Sequence, residues 1–473
     1  MKIKVTRSDA VWSYLATLLS MGANIIVASF ALGFLNDNDT ALYYIFSSLS
    51  AIASLFDLGF SPAMARSMAY AWSGAKELKK NGVDEIESNE PNYYLMLKVS
   101  KACKYIYTIL SLSALFLALS VGTIYIKYIT SIDTINDYLI SWYIYALAIF
   151  LNILYSYYSV FLRGIGCIKK INMATFVSKL IQVVACIMLL MFGLGLIGVS
   201  VAYLLYGFVF RLLAKYWFYN YGDIRDNLRS VKVKVGFKEA FEIVKTIWPN
   251  TWRDGIVTLS NYFLDQATTI IASLYLTLQE TGIYSLAIQL TTVIATVAAT
   301  MYTTYQPALQ SAYVNRDEGM QKKYMSLIVV SYVGLFIVGM LALSTIGLPI
   351  VRLIKPSYDL SLPLVIIIGL YQFLLKLRNC YTSYISTTNR VTYWKSFFIS
   401  AVTCVVLSCL FAGACNLGVY GLLAAQLISQ LMYNAWHWPL VVHRELRLSI
   451  VNMCKSGLVE AVNLVMGKTY HSH

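Results

Sequence analysis

Charge is scarce in this chain, and acid is scarcer than base. Of 473 residues only 13% are charged, with 23 Asp and Glu against 37 Lys and Arg, while 58% are apolar. A soluble domain of that composition could not keep its apolar surface from water, so the surplus must face lipid. Histidine occurs four times, and the eight cysteines (Cys103, Cys167, Cys186, Cys380, Cys404, Cys409, Cys415, Cys454) form no CxxC and have no His at ligand spacing. Neither a zinc site nor a disulfide framework is indicated, and the cysteines read as small apolar residues. There is no GxxxxGK[ST] loop to cradle a nucleotide, so direct drive by ATP is not expected. No Ser/His/Asp or metal constellation meets the geometry of a catalytic site. A net charge of +14 raises nucleic acid as a partner, but the bases are dispersed between apolar runs instead of clustered on one module. No nucleic-acid partner is expected.

What is present is a series of apolar runs long enough for a helix to cross about 30 Å of hydrocarbon. They fall near 11–35, 41–72, 105–126, 138–162, 171–192, 196–218, 247–278, 283–309, 325–347, 361–386, 394–413 and 419–441. The opening Lys2, Lys4 and Arg7 resemble the start of a signal peptide, but the run that follows exceeds an h-region of roughly 7–15 residues and is read as the first span. When the connections are taken alternately, one set holds 29 of the basic residues and the other only Lys127, Arg352 and Lys355. That asymmetry predicts an even number of spans with both termini in the cytoplasm. External connections are short, as in LNDNDT at 35–40, so no large outer loop is available for an enzyme site.

The mixed-charge segment near 221–246 divides the spans six and six. The expected organisation is an N-terminal lobe (1–220), a cytoplasmic linker (221–246), a C-terminal lobe (247–445) and a cytoplasmic tail (446–473). LGLIGVSVAYL at 194–204 aligns with LGVYGLLAAQL at 417–427 as LGxxGxxxAxL, an offset of 223 that also pairs Cys186 with Cys409. Both copies lie between the fifth and sixth spans of their half. An even number of spans per copy keeps the repeats the same way up, a parallel internal repeat.

Ionisable residues within spans cost at least about 2.5–3.5 kcal/mol each near the bilayer centre and are functional candidates by default. The bases are Arg66, Lys179, Arg253, Lys376 and Arg378, and the acids Asp57, Asp254 and Asp265. The base excess favours an anionic cargo, and the bases lie toward the predicted cytoplasmic ends, where snorkelling to the interface is the competing explanation. In the seventh span Asp254, Thr258, Asn261, Asp265 and Thr268 share one helical face. Gln289, Thr292, Thr296, Thr300 and Thr303 repeat the pattern in the eighth, Gln372, Lys376, Asn379 and Ser383 in the tenth, and Gln426, Gln430, Tyr433 and His437 in the twelfth. Four polar faces suggest an aqueous or sugar-accommodating cavity. For any single threonine, a bond back to its own helix is the better expectation.

FDLGFSPAMAR at 56–66 resembles the D-x-G segment followed by Arg in bacterial polysaccharide exporters of the O-antigen flippase (Wzx-type) family, and TGIYSLA at 281–287 resembles that family's G-x-Y element. Such proteins belong to the multidrug/oligosaccharidyl-lipid/polysaccharide exporter superfamily. The resemblance implies an all-α, MATE-like polytopic membrane protein of twelve transmembrane helices in two six-helix lobes, in the bacterial inner membrane. It further implies that undecaprenyl-pyrophosphate-linked oligosaccharide is flipped from the cytoplasmic to the outer leaflet, with a polysaccharide polymerase and a chain-length regulator as partners besides membrane lipid. Only Asp57 and Arg66 rest on a motif. Lys179, Arg253, Lys376 and Arg378 as cargo contacts, and Asp254, Asn261, Asp265, Gln289, Thr296, Asn379 and Gln430 as polar or coupling groups, rest on their placement. No cofactor is assigned, and the sequence does not choose between H+ and Na+ as a coupling ion. A cation-coupled multidrug exporter of the same fold is the alternative, and a membrane polysaccharide polymerase or ligase comes last.

Overall fold

The computed structural model describes residues 3, 5–35, 37–57, 59–80, 90–129, 135–231, 235–354 and 360–466. The loop bases Lys2, Lys4, Lys232, Lys234, Lys355 and Lys468 lie outside the described residues. Among the described residues every regular element is helical, as lipid requires of a chain that must satisfy its own backbone. In order these are α1 (Arg7–Phe34), α2 (Asp37–Ser54), α3 (Phe60–Trp72), α4 (Tyr93–Leu117), α5 (Thr123–Ile129), α6 (Ile135–Tyr155), α7 (Tyr157–Gly164), α8 (Ile168–Met191), α9 (Gly195–Tyr219) and α10 (Ile224–Ser230). There follow α11 (Phe237–Tyr262), α12 (Thr268–Tyr275), α13 (Leu278–Ala298), α14 (Thr300–Val314), α15 (Glu318–Ala342), α16 (Leu348–Ile354), α17 (Leu362–Thr387), α18 (Trp394–Ser408), α19 (Gly418–Leu431), α20 (Asn434–Glu445) and α21 (Ile450–Met466).

Helix occupies each of the twelve predicted spans, and the chain is a multi-pass membrane protein. Among the described residues, eight stretches are long and apolar enough to cross a bilayer, or nine if the bent pair Gly418–Glu445 and Ile450–Met466 is one span. Within the eight, only 28–44% of the most apolar window is buried. The larger part of each therefore points outward, which is stable only against lipid. In the seventh span α11 carries Asp254, Asn261 and Pro249, and in the second α2 and α3 are separated by a 3-10 turn at Leu55–Asp57 and the left-handed Gly59.

Two compact units divide the chain. One comprises 8–79 and 84–251, the other 2–7, 80–83 and 252–473. The division falls inside α11, so the segment expected to be a loop to residue 246 is already helical from Phe237. Its Phe237, Phe241 and Trp248 are exposed while Ala240, Ile243 and Ile247 are buried, an amphipathic pattern that charge counting alone reads as linker.

The internal repeat is written in the backbone. Left-handed residues at Gly166, Gly193 and Gly195 recur at Asn389, Asn416 and Gly418, each displaced by the offset of 223 seen in the sequence. α4, a π segment at Ala118–Gly122 and α5 recur with identical lengths as α15, Leu343–Gly347 and α16.

A π turn frees carbonyls from the ladder, and here side chains take them up. Trp142 Nε1 donates to Ala118 O at 3.2 Å and to Thr123 Oγ1 at 3.2 Å, with its ring against Phe46 in a core that includes Tyr145 and Ile149. Gly122 is required there, because an added Cβ would overlap the Trp142 ring. In the other unit Tyr371 Oη donates at 2.9 Å to Leu264 O, which belongs to a π segment at Phe263–Ala267. Helix starts are capped by Asn92, Asp317 and a Thr277/Glu280 capping box.

Candidate functional site

Within the N-terminal unit two cavities of about 110 and 330 Å³ share Ser50 and Tyr203. The smaller is lined by α1, α2, α6, α8 and α9, and carries Asn24, Tyr43, Ser47, Tyr145, Lys179 and Gln182. Both are large enough for water, and the smaller is lined mainly by polar groups. Lys179 Nζ donates to Gln182 Oε1 at 3.1 Å and stands 4.5 Å from the centre of the Tyr206 ring, a cation–π contact. Tyr206 belongs to a stack along one face of α9. Tyr145 lies on Tyr203 at 4.7 Å, Tyr203 on Tyr206 at 6.4 Å, and Tyr206 on Phe210 at 6.4 Å. The spacing 203, 206, 210 is what one helical face demands. A ladder of aromatic faces flanked by hydroxyls and amides can hold the apolar face of a ring while bonding its polar edge.

The larger cavity contains Asp57 and Asn152. Asp57 Oδ1 accepts from Tyr107 Oη at 2.6 Å and Oδ2 from the Ser61 amide at 3.1 Å. Neither polar atom of the buried Asn152 amide group has a hydrogen-bond partner, so both are available to a ligand or water. Gly207 lets α9 approach this amide, since a Cβ there would fall on it. The tyrosine ladder and Asn152 were missed in the sequence, although the α9 spacing was visible. Arg66 is buried on α3 at 1% exposure and is not among the residues lining either cavity.

In the C-terminal unit the predicted polar residues meet one another. Lys376 Nζ pairs with Asp265 Oδ2 at 3.0 Å, with side chains 19% and 18% exposed. Two residues on, Arg378 is buried over the Phe397 ring at 3.9 Å, and donates to Gln430 Oε1 at 2.6 Å and Asn261 Oδ1 at 2.8 Å. Gln430 in turn donates to Ser400 Oγ at 2.9 Å. Arg378 thus joins α11, α17, α18 and α19. Asp254 is buried, and its carbonyl accepts from Thr258 Oγ1 at 2.9 Å. Arg253 Cζ lies 5.6 Å from the Trp252 ring.

The predicted polar faces are modified in detail. The π segment at Phe263–Ala267 inserts an extra residue into a turn and swings Asp265 and Thr268 out of register with Asp254 and Thr258. The eighth span breaks at Ala299 between α13 and α14, and the twelfth between α19 and α20 at Tyr433. Thr258, Thr300 and Thr303 bond back to their own helices, and Thr300 takes the carbonyl of Thr296. Gln289 is exposed and Asn379 half-buried. Gln372 is wholly buried with no partner at either end of its amide. Tyr433 and His437 stack at 4.2 Å. No group of three or more His, Cys, Asp or Glu among the described residues could hold a metal.

The backbone decides the fold comparison. The chain has the fold of the MATE transporters. A structure described as the outward-facing conformation of a multidrug resistance MATE family transporter of the MOP superfamily matches with a TM-score of 0.71 at 12% identity, covering 98% of this chain and 96% of that one. MATE in the bent conformation matches at 0.71 and 12%, over 96% and 95%. A MOP superfamily transporter from Pyrococcus furiosus, described by a reversed polarity of its binding pocket that suggests a different function, matches at 0.66 and 12%, over 99% and 98%. No protein-family model and no curated protein matches the chain. Identity this low carries the fold alone and leaves the family and the cargo to the residues of the site.

Proposed function

We propose that this chain is a membrane exporter that moves lipid-linked oligosaccharide across the bacterial inner membrane by alternating access, with both termini in the cytoplasm. The observation that carries this reading is the smaller cavity of the N-terminal unit, where Lys179 stands among tyrosine faces, serines, Asn24 and Gln182. Such a lining suits hydroxyl-rich rings and an anionic linkage such as pyrophosphate, with the polyprenyl tail left in lipid. Arg66, Arg253, Lys376 and Arg378 are proposed as further cargo contacts. Lys376 becomes available only by giving up Asp265, and Arg378 only by giving up Gln430 and Asn261. Asp57 and Asp265 are the groups for coupling to H+ or Na+. A polysaccharide polymerase and a chain-length regulator are proposed as partners.

A second reading, a cation-coupled multidrug exporter, is favoured by the fold comparisons, because the matching structures include a multidrug resistance transporter. Asp57 would then receive a cationic drug. A polymerase or ligase comes last. The two exporters separate by genetics in the native host. Deletion should accumulate complete lipid-linked repeat units and deplete surface glycan, leaving sensitivity to cationic drugs unchanged. Normal surface glycan together with drug sensitivity would replace the first reading by the second.

A further inference from the structure

The sequence reading places everything after residue 445 in a cytoplasmic tail, yet 450–466 is a helix, α21. It lies beyond the second repeat. The chain reaches it through the left-handed Arg447 and a bend of 80° from the preceding span, and it packs against α15. At about 1.5 Å per residue it is roughly 25 Å long.

Its two faces have the polarity of a membrane protein, opposite to that of a water-soluble helix. The inner face, Met453, Gly457 and Glu460 at i, i+4 and i+7, is buried. Gly457 makes the contact close, since an added Cβ would fall 2.5 Å from the Ser326 carbonyl oxygen of α15. Glu460, the only acid on the helix, is turned inward, 3.7 Å from Lys323 of α15. The outer face holds Val451, Leu458, Val462 and Val465 at i, i+7, i+11 and i+14, flanked by Val459 and Met466, and these are 48–69% exposed. A helix in water buries its valines and shows its glutamate. This one does the reverse, and its one cation, Lys455, stands exposed on the same outer face, where a long side chain can carry its charge toward the interface.

We propose that α21 is a lipid-embedded helix whose outer face lies among acyl chains, in the leaflet at the N-terminal end of α15. Its occupant is lipid and not a second copy of the chain, because the apolar face continues the outward apolar surface of α15, where Leu335, Ile337, Val338 and Leu341 are 40–63% exposed. The inference is independent of the cargo.

The full chain, with Cys415→Ser to remove another exposed thiol, provides the test in liposomes. A bimane fluorophore is placed in turn at the native Cys454, at Val462→Cys and, as an exposed control, at Asp226→Cys, with Cys454→Ser in the last two. Bimane at position 462 should emit to the blue of the control and be quenched several-fold more by lipids brominated on the acyl chain than by aqueous iodide, with the reverse order at position 226. Iodide quenching at 462 equal to that at 226 would overturn the proposal. Protection from both quenchers, or cross-linking of two chains through 462, would also overturn it, since protein would then cover the face.

Discussion

The ion pair between Lys376 and Asp265 makes a quantitative prediction. At 3.0 Å two unit charges attract by about 5 kcal/mol at an effective dielectric near 20, and desolvating both groups offsets much of that. Removing one partner is different, because the survivor stays in a site where only about a fifth of the side chain is exposed. Asp265 Oδ1 already lacks a partner. Asp265→Asn and Lys376→Met should each lower stability by about 2–3 kcal/mol, and the double variant by no more than about 2, giving a coupling energy near 3 kcal/mol. Reversible unfolding in mixed micelles, read by the change in helical signal, measures all four proteins. Neutral hydrogen bonds between membrane helices couple by only about 0.6 kcal/mol on average. A coupling at or below that value would refute the reasoning and make the contact an ordinary hydrogen bond.

Tyr371→Phe should cost about 1–2 kcal/mol in the same unfolding measurement, because it strands the Leu264 carbonyl freed by the π segment, and an unchanged midpoint would contradict that. Gly207→Val should destabilise by about 1–3 kcal/mol through displacement of the Asn152 amide, and Asn152→Ala should relieve part of the loss. Thr277→Ala removes half of the capping box at the start of α13 and should cost about 1 kcal/mol. Reporter fusions after Thr40 and Glu280 should report the outside and those after Asp226 and Asp317 the cytoplasm; one reproducible inversion would break the topology. Fusions after Gly82 and Asp133, outside the described residues, should report the cytoplasm and the outside respectively.

The sequence made the spans legible because lipid imposes a minimum apolar length, and the repeat legible because the turn before α9 and α19 needs left-handed residues at fixed positions, met by Gly193 and Gly195 in one copy and Asn416 and Gly418 in the other. The interruptions were hidden. Nothing in FLDQA announces a π turn, and the Tyr371 hydroxyl that takes up the Leu264 carbonyl comes from a distant helix. Counting intramembrane charge identified Lys179, Asp265, Lys376 and Arg378 as unusual, but their partners are tertiary. Lys376 and Arg378 are two residues apart and face different neighbours, one an acid and the other two amides. The tyrosine ladder carries no formal charge and so escaped a search based on charge. The α21 helix was hidden because it lies beyond the twelfth span and Lys455 was counted with the cytoplasmic bases.

If the cargo's polar part is anionic and meets Lys179, equilibrium binding to the purified chain in lipid nanodiscs will show it. Polyprenyl pyrophosphate should bind and tetraphenylphosphonium should not, and Lys179→Ala should weaken the pyrophosphate lipid about tenfold, equivalent to about 1.4 kcal/mol. Tight binding of tetraphenylphosphonium without binding of the pyrophosphate lipid, or pyrophosphate-lipid affinity indifferent to Lys179→Ala, would contradict the account.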